Sequence, residues 1–379
     1  MPMDWAATIA ATGRPQPGQL LDREIFWRDH QVWLQEKGFM LRPRYRPGWT
    51  PSWHTVDKLF LECEDGTHLV PGFAIDAVRI RDKADVVLKQ VETELEEHIT
   101  AQRVSSPKDP RNHCVPILDV FEVPDSKYHI IVMPLLRSFL VPRFDTIGEA
   151  VDFFGQIFEG VKYLHDRNIA HRDCNAANIM MEASKMYPDG FHFQHPKRTR
   201  DFYSGFARSN PRTRRPPRYY LIDFGLTRIY DTRDPPPIEP IIFGGDRSVP
   251  EFKITDENGP VACDPFPIDV YYHGNMIKRH FLDGRNGDPE GDRMLGFEFM
   301  RPLANDMTAQ DPAERPDMGE VVERFAKIRK SLSWWKLRSR VAKAKDSPYN
   351  IFRLARHWYL WTEYVLLCMP AIPSPPLDE

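Results

Sequence analysis

Two short polar motifs, each directly behind an apolar run, constrain this chain more than any other feature. The first is the octapeptide His171-Arg172-Asp173-Cys174-Asn175-Ala176-Ala177-Asn178, and the second is Asp223-Phe224-Gly225. The apolar runs predict strands, so both motifs are expected in turns that follow strands. Carboxylate and amide oxygens are the ligands that hard cations such as Mg²⁺ prefer. A simple turn at Asp223 and a helix cap at Asn178 would explain either motif alone, but not both in this order.

The composition indicates a globular protein. The 379 residues are 41% hydrophobic and 12% aromatic, and the formal net charge is −3, which indicates neither a membrane nor a nucleic-acid partner. Five cysteines lie far apart, which predicts neither a zinc site nor a disulfide framework and fits a reducing compartment. The longest apolar stretch, Trp358 to Met369, has 12 residues, where a bilayer-spanning helix needs about 20. We therefore expect an intracellular protein, cytoplasmic or nuclear, without a secretory signal.

Hydrophobic periodicity divides the chain into a strand-rich part and a later helical part. Paired strands are predicted over 68–91, and two more over 115–121 and 128–133. A charged helix is predicted over 92–104, with Leu95 and Ile99 on its apolar face, and a long amphipathic helix over 147–166. A short helix is predicted from Leu21 to Gly38. This order indicates an α+β chain with a small β-rich part and a larger helical part.

The two motifs resemble the H-R-D-x-x-x-x-N and D-F-G sequences of the eukaryotic-type protein kinase domain, and the resemblance covers roughly residues 60–330. The phrases PRNHCVPILDVFE, NIMM and RYYLIDFGLTRIY also resemble a group of fungal, mainly basidiomycete, kinase-like proteins. The resemblance implies a two-lobed α+β fold, ATP and Mg²⁺ as cofactors, and a protein substrate. Further kinase-like segments are Ile131–Leu135, Val249–Glu251, Asp269–Gly274 and Met307–Pro316.

The resemblance also implies the catalytic roles. Asp173 would accept the proton of the substrate hydroxyl, and Asn178 and Asp223 would bind Mg²⁺. Lys89, at the end of Val-Val-Leu-Lys, is similar to the lysine that holds the inner phosphates of ATP, with Arg79 as a rival. In the family a buried ion pair would join Glu251 and Arg315.

The remaining ATP contacts are assigned by position. Counting back from Lys89 places Gly72 at the last glycine of the phosphate-covering loop, and Met133 and Leu135 correspond to the gatekeeper and the hinge. Lys89 also needs a carboxylate partner on the following helix. Glu96 is favoured because Ile99 follows it on the predicted helix. The alternatives are a solvated acidic helix face or one of Glu92, Glu94 and Glu97.

Two departures from the family pattern bear on activity. Asn175 stands where active kinases usually carry a cation that contacts the γ-phosphate. If that cation supplied about 2–3 kcal/mol of transition-state stabilisation, its absence would slow turnover about 30–150-fold. The phosphate-covering loop also lacks G-x-G-x-x-G, with Gly66 and Gly72 the only glycines nearby, so its backbone approaches phosphates less closely. The favoured function is an active protein kinase. The alternatives are a pseudokinase that acts as a binding or scaffold module and, with least support, a nucleic-acid-associated module.

Asn178 and Asp223 are 45 positions apart, where the family usually needs about 13. The extra residues include a basic stretch with a local balance of +7 between Lys197 and Arg218. It is interpreted either as a docking surface for an acidic partner or a nucleic acid, or as a solvated or self-wrapping loop. The predicted segments are 1–60 as an N-terminal extension, 61–136 as the N-lobe, 137–332 as the C-lobe with the insertion at about 182–218, and 333–379 as a helical extension.

The segment between Tyr230 and Val249 carries only two hydroxyl side chains outside tyrosine, Thr232 and Ser248. The run from Asp234 to Pro240 is rich in proline, stiff and free of hydroxyl side chains. We therefore expect that phosphorylation of this segment is not the main switch. The C-terminal helix from Phe352 to Met369 is expected either to pack on the domain or to bind a partner.

Overall fold

The computed structural model describes residues 18–70, 72–242, 245–256, 259–284, 293–346 and 351–375. The described residues form two compact units. The first unit contains residues up to 98 together with 116–135 and 187–209, and the second contains 99–115, 136–186 and the residues from 210 onward. The chain therefore enters the first unit three times. The four predicted segments stay predictions, although the described part of the N-terminal extension belongs to the same unit as the sheet.

The first unit is built on a five-stranded antiparallel sheet. Its strands lie in the order Phe39–Leu41 (β1), Ala74–Arg79 (β2), Asp85–Glu92 (β3), Tyr128–Pro134 (β5) and Asp119–Glu122 (β4). On one face Ile75 pairs with Leu88 and Ala77 with Val86, and this face forms the core together with Trp27 and other buried side chains. Because side chains alternate along a strand, Lys89 lies on the opposite face. The elements are α1 Asp22–Asp29, α2 Gln31–Glu36, β1 Phe39–Leu41, β2 Ala74–Arg79, β3 Asp85–Glu92, α3 Glu97–Ser105, which continues into the second unit, β4 Asp119–Glu122 and β5 Tyr128–Pro134.

Most of the predicted elements of this unit are found with shifted bounds. The predicted helix over 21–38 is present as α1 and α2, which meet at His30, and Gly38 ends it with a φ of +92°. Strands begin at residue 74 rather than 68, and at 119 rather than 115. The predicted apolar face of the charged helix was wrong, since Leu95 and Ile99 are both exposed.

The second unit is mainly helical. Its longest helix, α4, has Thr146 as N-cap, whose side chain accepts a hydrogen bond from the Glu149 N–H, and the helix is buried along most of its length. The elements are β6 Leu136–Ser138, α4 Ile147–His165, β7 Ile169–Ala170, β8 Ile179–Glu182, β9 Tyr219–Leu221, β10 Arg228–Ile229, β11 Thr255–Asp256, β12 Gly259–Pro260, α5 Pro265–Ile277, α6 Arg301–Met307, α7 Met318–Ser331, α8 Trp334–Arg338 and α9 Ile351–Leu366.

Short strand pairs position the two polar motifs in this unit. β6, β8 and β9 form one small antiparallel sheet, and β7 pairs with β10. The octapeptide follows β7 and leads into β8, while the Asp-Phe-Gly motif follows β9. The predicted α+β, two-lobed protein-kinase-like fold, with a β-rich unit and a larger helical unit, is confirmed.

Candidate active site

The octapeptide is anchored by a buried carboxylate on α5. Asp269 accepts hydrogen bonds from the backbone N–H groups of His171 and Arg172, each at 2.8 Å, and its Oδ2 lies 3.1 Å from His165 Nε2. Burial alone would raise the pKa of Asp269, but the hydrogen bonds from His165 and from the His171 backbone hold that pKa below its usual value. The ionised carboxylate thus fixes the backbone of the loop, in which Arg172 has a φ of +68°.

Asp173 and Asn178 are bonded to each other inside the loop. Asn178 Nδ2 donates to Asp173 Oδ2 at 2.8 Å and to the Asp173 carbonyl at 2.9 Å. Asn175 Nδ2 donates to the other carboxylate oxygen, Oδ1, at 2.6 Å, while its own oxygen accepts from the Ala177 N–H. Burial raises the pKa of Asp173, and the nearby Asp223 carboxylate raises it further. Both amides therefore orient the carboxylate of Asp173.

Gly245 lies directly against the Asp173 carboxylate. A Cβ on Gly245 would meet Asp173 Oδ1 at 2.3 Å and Asn175 Nδ2 at 3.2 Å, and the φ of Gly245 is +66°. Any larger residue would be strained by the backbone conformation and would also clash with the carboxylate. The approach of this segment to Asp173 was missed by the sequence analysis, which assigned no role to Gly245.

Asp223 lies just after β9, and Asn178 lies directly before β8, the strand that pairs with β9. Ile179 on β8 pairs with Leu221 on β9, and the Ile222 N–H donates to the Asn178 carbonyl at 3.0 Å. Asp223 has a φ of +67°. The turn then places the buried Phe224 ring 5.5 Å from the His171 ring. The structure therefore brings together all three polar residues that the two motifs predicted in this unit.

The first unit carries the predicted lysine. Lys89 Nζ donates to Glu97 Oε1 at 2.5 Å, and both side chains are buried. The choice of Glu96 as its partner was wrong. Glu96 is exposed and has a φ of +53°, in the left-handed region, so α3 begins only at the next residue. Glu97 was among the alternatives, but helical spacing alone did not distinguish it from the neighbouring glutamates.

The other predicted ATP contacts are placed as follows. Met133 pairs with Val87 on β3, which places it on the same face of the sheet as Lys89. The Leu135 N–H donates to the Asp85 carbonyl at 3.2 Å, so this hinge amide already has an acceptor. These positions fit the predicted order of gatekeeper and hinge along the chain, and the ATP contacts themselves stay predictions.

Gly72 has a packing role. A Cβ on Gly72 would lie 2.4 Å from the Cβ of Arg23, and Trp27 Nε1 donates to the Gly72 carbonyl at 2.9 Å. The close approach of α1 therefore accounts for a glycine at this position. Short 3-10 turns, at Phe60–Glu62 and Glu64–Gly66, precede it, and the strand that pairs with the outer edge of β2 is β1. The predicted phosphate contact of Gly72 stays a prediction.

Arg172 is held by the segment that follows the Asp-Phe-Gly motif. It donates to the carbonyls of Pro240, at 2.8 Å, and Leu226, at 3.4 Å. Its guanidinium lies 3.3 Å from Glu239 Oε2, and Glu239 Oε1 accepts a hydrogen bond from the Tyr230 hydroxyl at 2.9 Å. Glu239 is therefore the carboxylate of this segment that pairs with Arg172.

Because a carboxylate already pairs with Arg172, we expect that any phosphotransfer activity of the chain is independent of phosphorylation of this segment. Phosphatase treatment should leave the phosphotransfer rate unchanged, whereas Glu239→Ala should lower it several-fold by removing the partner of a buried guanidinium. Mass spectrometry that finds stoichiometric phosphate on Thr232, lost together with activity, would contradict this prediction. Ser184→Ala, at an exposed hydroxyl outside the segment, is the control.

Part of the basic insertion is packed within the first unit. Phe193 packs against the core of that unit, and His192 is buried. Gln194 donates to the His68 carbonyl at 2.6 Å, and Arg200 pairs with Asp85 at 2.5 Å. These contacts agree with a loop that wraps on its own domain.

The later basic residues of the insertion have acceptors within the second unit. Arg212 is buried and donates to the carbonyls of Phe139, Pro142 and Arg143. Arg214 pairs with Glu363, and Arg218 donates to the carbonyls of Pro110 and Asn112. Much of the local charge of +7 therefore serves internal contacts. An acidic partner at the insertion stays a prediction.

Sequence comparison finds protein kinases among the similar proteins. An alignment of 194 residues, which covers 48% of this chain, shows 25% identity to the light-sensor protein kinase of Ceratodon purpureus. An alignment of 118 residues, which covers 28% of the chain, shows 34% identity to the probable serine/threonine-protein kinase fhkD of Dictyostelium discoideum. Each match spans 14% of the length of the relative, and no family model matches the chain. Together with the fold, these matches indicate a kinase-like domain. They give no support to the fungal subgroup.

Proposed function

We propose that the chain is a metal-dependent protein kinase that transfers the γ-phosphoryl group of ATP to a protein hydroxyl. The observation that carries the proposal is the oriented carboxylate of Asp173, held by two amide donors on a loop that Asp269 fixes. A general base in phosphoryl transfer needs placement more than a special pKa. Both relatives described above are named as protein kinases, which supports the same chemistry.

Phosphoryl transfer also needs a cation for the inner phosphates and a hydroxyl-orienting base. The inner phosphates of ATP need a cation, and Lys89, held by Glu97 in the first unit, is our candidate. In the second unit, Asp173 would orient the substrate hydroxyl and accept its proton as the new bond to phosphorus forms. Met133 and Leu135 would contact the base of ATP.

Asp223 and Asn178 fit a Mg²⁺ ion by their chemistry. Both hydrogen bonds from the Asn178 side chain described above use its amide nitrogen, so its oxygen is suited to a hard cation. Mg²⁺ is usually bound by one or two protein ligands together with substrate phosphates and water, so these two side chains would be enough to hold it. The ion would neutralise charge on the phosphates.

A pseudokinase is the second candidate, and a specific observation favours it. Gly245 lies against Asp173 Oδ1 and Asn175 Nδ2, on the oxygen that a substrate hydroxyl would need to approach. Asn175 also brings no charge to the transferred phosphoryl group. In this alternative the same fold serves as a binding or scaffold module.

The experiment that tests the proposal is thermal unfolding with and without ATP and Mg²⁺, followed by a phosphotransfer assay. A ligand that binds only the native state raises the unfolding midpoint by mass action. We expect a shift of several degrees that is lost in Asp223→Ala and in Lys89→Ala. No shift at millimolar ATP would contradict nucleotide binding, and a shift without phosphotransfer would favour the pseudokinase.

The pH dependence of the rate tests the role of Asp173. The pKa of this carboxyl is raised by burial, so it takes up a proton at a higher pH than an ordinary Asp and activity should fall as pH drops through that raised pKa. The hydrogen bond from Asn175 opposes the shift, so Asn175→Ala should move the acid limb of kcat/KM to higher pH. An acid limb that is unchanged in this variant would contradict the assignment.

A further inference from the structure

The C-terminal helix α9 presents an apolar stripe on its exposed side. Leu360 and Tyr364 are buried on one side of the helix. Phe352 and Tyr359 are seven residues apart, so they lie on the same face of the helix, two turns from each other. Their side chains are 89% and 67% exposed. Large exposed apolar patches of this kind mark binding surfaces. The exposed apolar side chains of the helix are Ile351, Phe352, Leu354, Trp358, Tyr359, Val365 and Leu366.

Tryptophans of α8 extend this surface. Trp335 stacks on Trp361 with ring centroids 5.8 Å apart, and Trp334 contacts both rings. Trp358 contacts Trp361 at 5.7 Å. Trp335 is 68% exposed, whereas tryptophan side chains are on average highly buried. Tryptophan and tyrosine are enriched where proteins meet the membrane–water interface.

The same part of the chain is strongly basic. Residues 327–356 contain ten Lys or Arg and one acidic residue, a net charge of +9, so the rest of the chain carries −12. Of the ten side chains, that of Arg338 is buried. Arg353 pairs with Asp346, and Arg356 and Lys327 pair with Asp145 and Glu323 at the surface. Asp145 and Glu323, the two acidic partners outside the segment, offset two of its nine net positive charges.

We propose that α8, α9 and the basic residues of 327–346 and 351–356 form a docking surface for an anionic lipid bilayer. The apolar stripe and the tryptophans would lie at the headgroup level, and the Lys and Arg side chains would be attracted to anionic headgroups. Among the described residues no helix is long and apolar enough to cross a membrane, so the helix would lie on the bilayer. This partner departs from the expectation based on composition, because the charge is concentrated in one segment.

The test is sedimentation of the full chain with vesicles, together with tryptophan emission. We expect binding and a blue shift with vesicles that contain about 30% phosphatidylserine, weak binding to pure phosphatidylcholine, and loss of binding as salt increases. The variant Phe352→Glu/Tyr359→Glu should raise the apparent Kd at least about tenfold. Both side chains are highly exposed, so the variant should fold. Leu61→Glu, at a side chain 65% exposed elsewhere, is the matched control and should bind like the original protein.

Three outcomes would overturn the proposal. The first is that neither vesicle sediments the protein. The second is that Phe352→Glu/Tyr359→Glu binds anionic vesicles and heparin as well as the original protein does, which would make the segment a polyanion site. The third is that the protein is a dimer in solution, that this variant is a monomer, and that neither form binds vesicles. The occupant of the surface would then be a second copy of the chain.

Discussion

Replacing Asp173 with Ala is expected to lower the phosphotransfer rate about 10²–10⁴-fold, while ATP and Mg²⁺ still raise the unfolding midpoint. The carboxylate is the acceptor to which Asn175 and Asn178 both donate. Its loss removes the group that would orient the substrate hydroxyl, whereas Lys89 and Asp223 remain for the nucleotide. Alanine is preferable to asparagine here, because the NH2 group of an asparagine at this position would face one of the two existing amide donors.

The control for this variant is Asp119→Asn, since Asp119 is an exposed carboxylate on β4. It should leave both the rate and the ATP-induced shift unchanged. If Asp173→Ala retained the rate of the original protein, Asp173 would not be the base. If the original protein showed the ATP-induced shift but no phosphotransfer to any hydroxyl peptide, the pseudokinase alternative would replace the kinase proposal.

The sequence was most informative where a function depends on residues that are close in the chain. The spacing of Asp173 and Asn178 within one loop is a local property, and the structure shows these side chains bonded to each other. The strand pairing that brings Asp223 near them joins β9, the apolar run before Asp223, to β8, the apolar run that follows the octapeptide. The order of a β-rich part followed by a helical part could be predicted for the same reason, because hydrophobic periodicity is a local property of the sequence.

Contacts between distant segments were not predictable in the same way. The partner of Lys89 was misassigned because a left-handed residue, Glu96, delays the start of α3 by one position, and no turn signal in the sequence marks it. The packing of α1 against Gly72 joins residues far apart in the chain. The approach of Gly245 to Asp173 is also a tertiary contact, and the signal available in the sequence was a pair of glycines, which fits many turns.

Substituting Glu251 with Ala is expected to lower the free energy of unfolding by about 3–5 kcal/mol. Arg315 donates to both oxygens of Glu251, at 2.8 and 2.6 Å, and both residues are buried. Removal of the carboxylate leaves a buried guanidinium without its counter-charge, which costs more than the loss of the hydrogen bonds themselves. Urea unfolding followed by tryptophan fluorescence measures the effect.

A double-mutant cycle separates this ion pair from the other contacts of the arginine. Arg315 also donates to the part-buried carbonyls of Pro267 and Ala309, so Arg315→Leu removes these two hydrogen bonds as well as the ion pair. The double variant Glu251→Ala/Arg315→Leu should therefore destabilise by less than the sum of the two single variants, since the charge that each single variant leaves behind is absent. The exposed pair Glu323 and Lys327 is the control and should contribute less than about 1 kcal/mol. A loss for Glu251→Ala no larger than for Glu323→Ala would contradict a structural role for the buried pair.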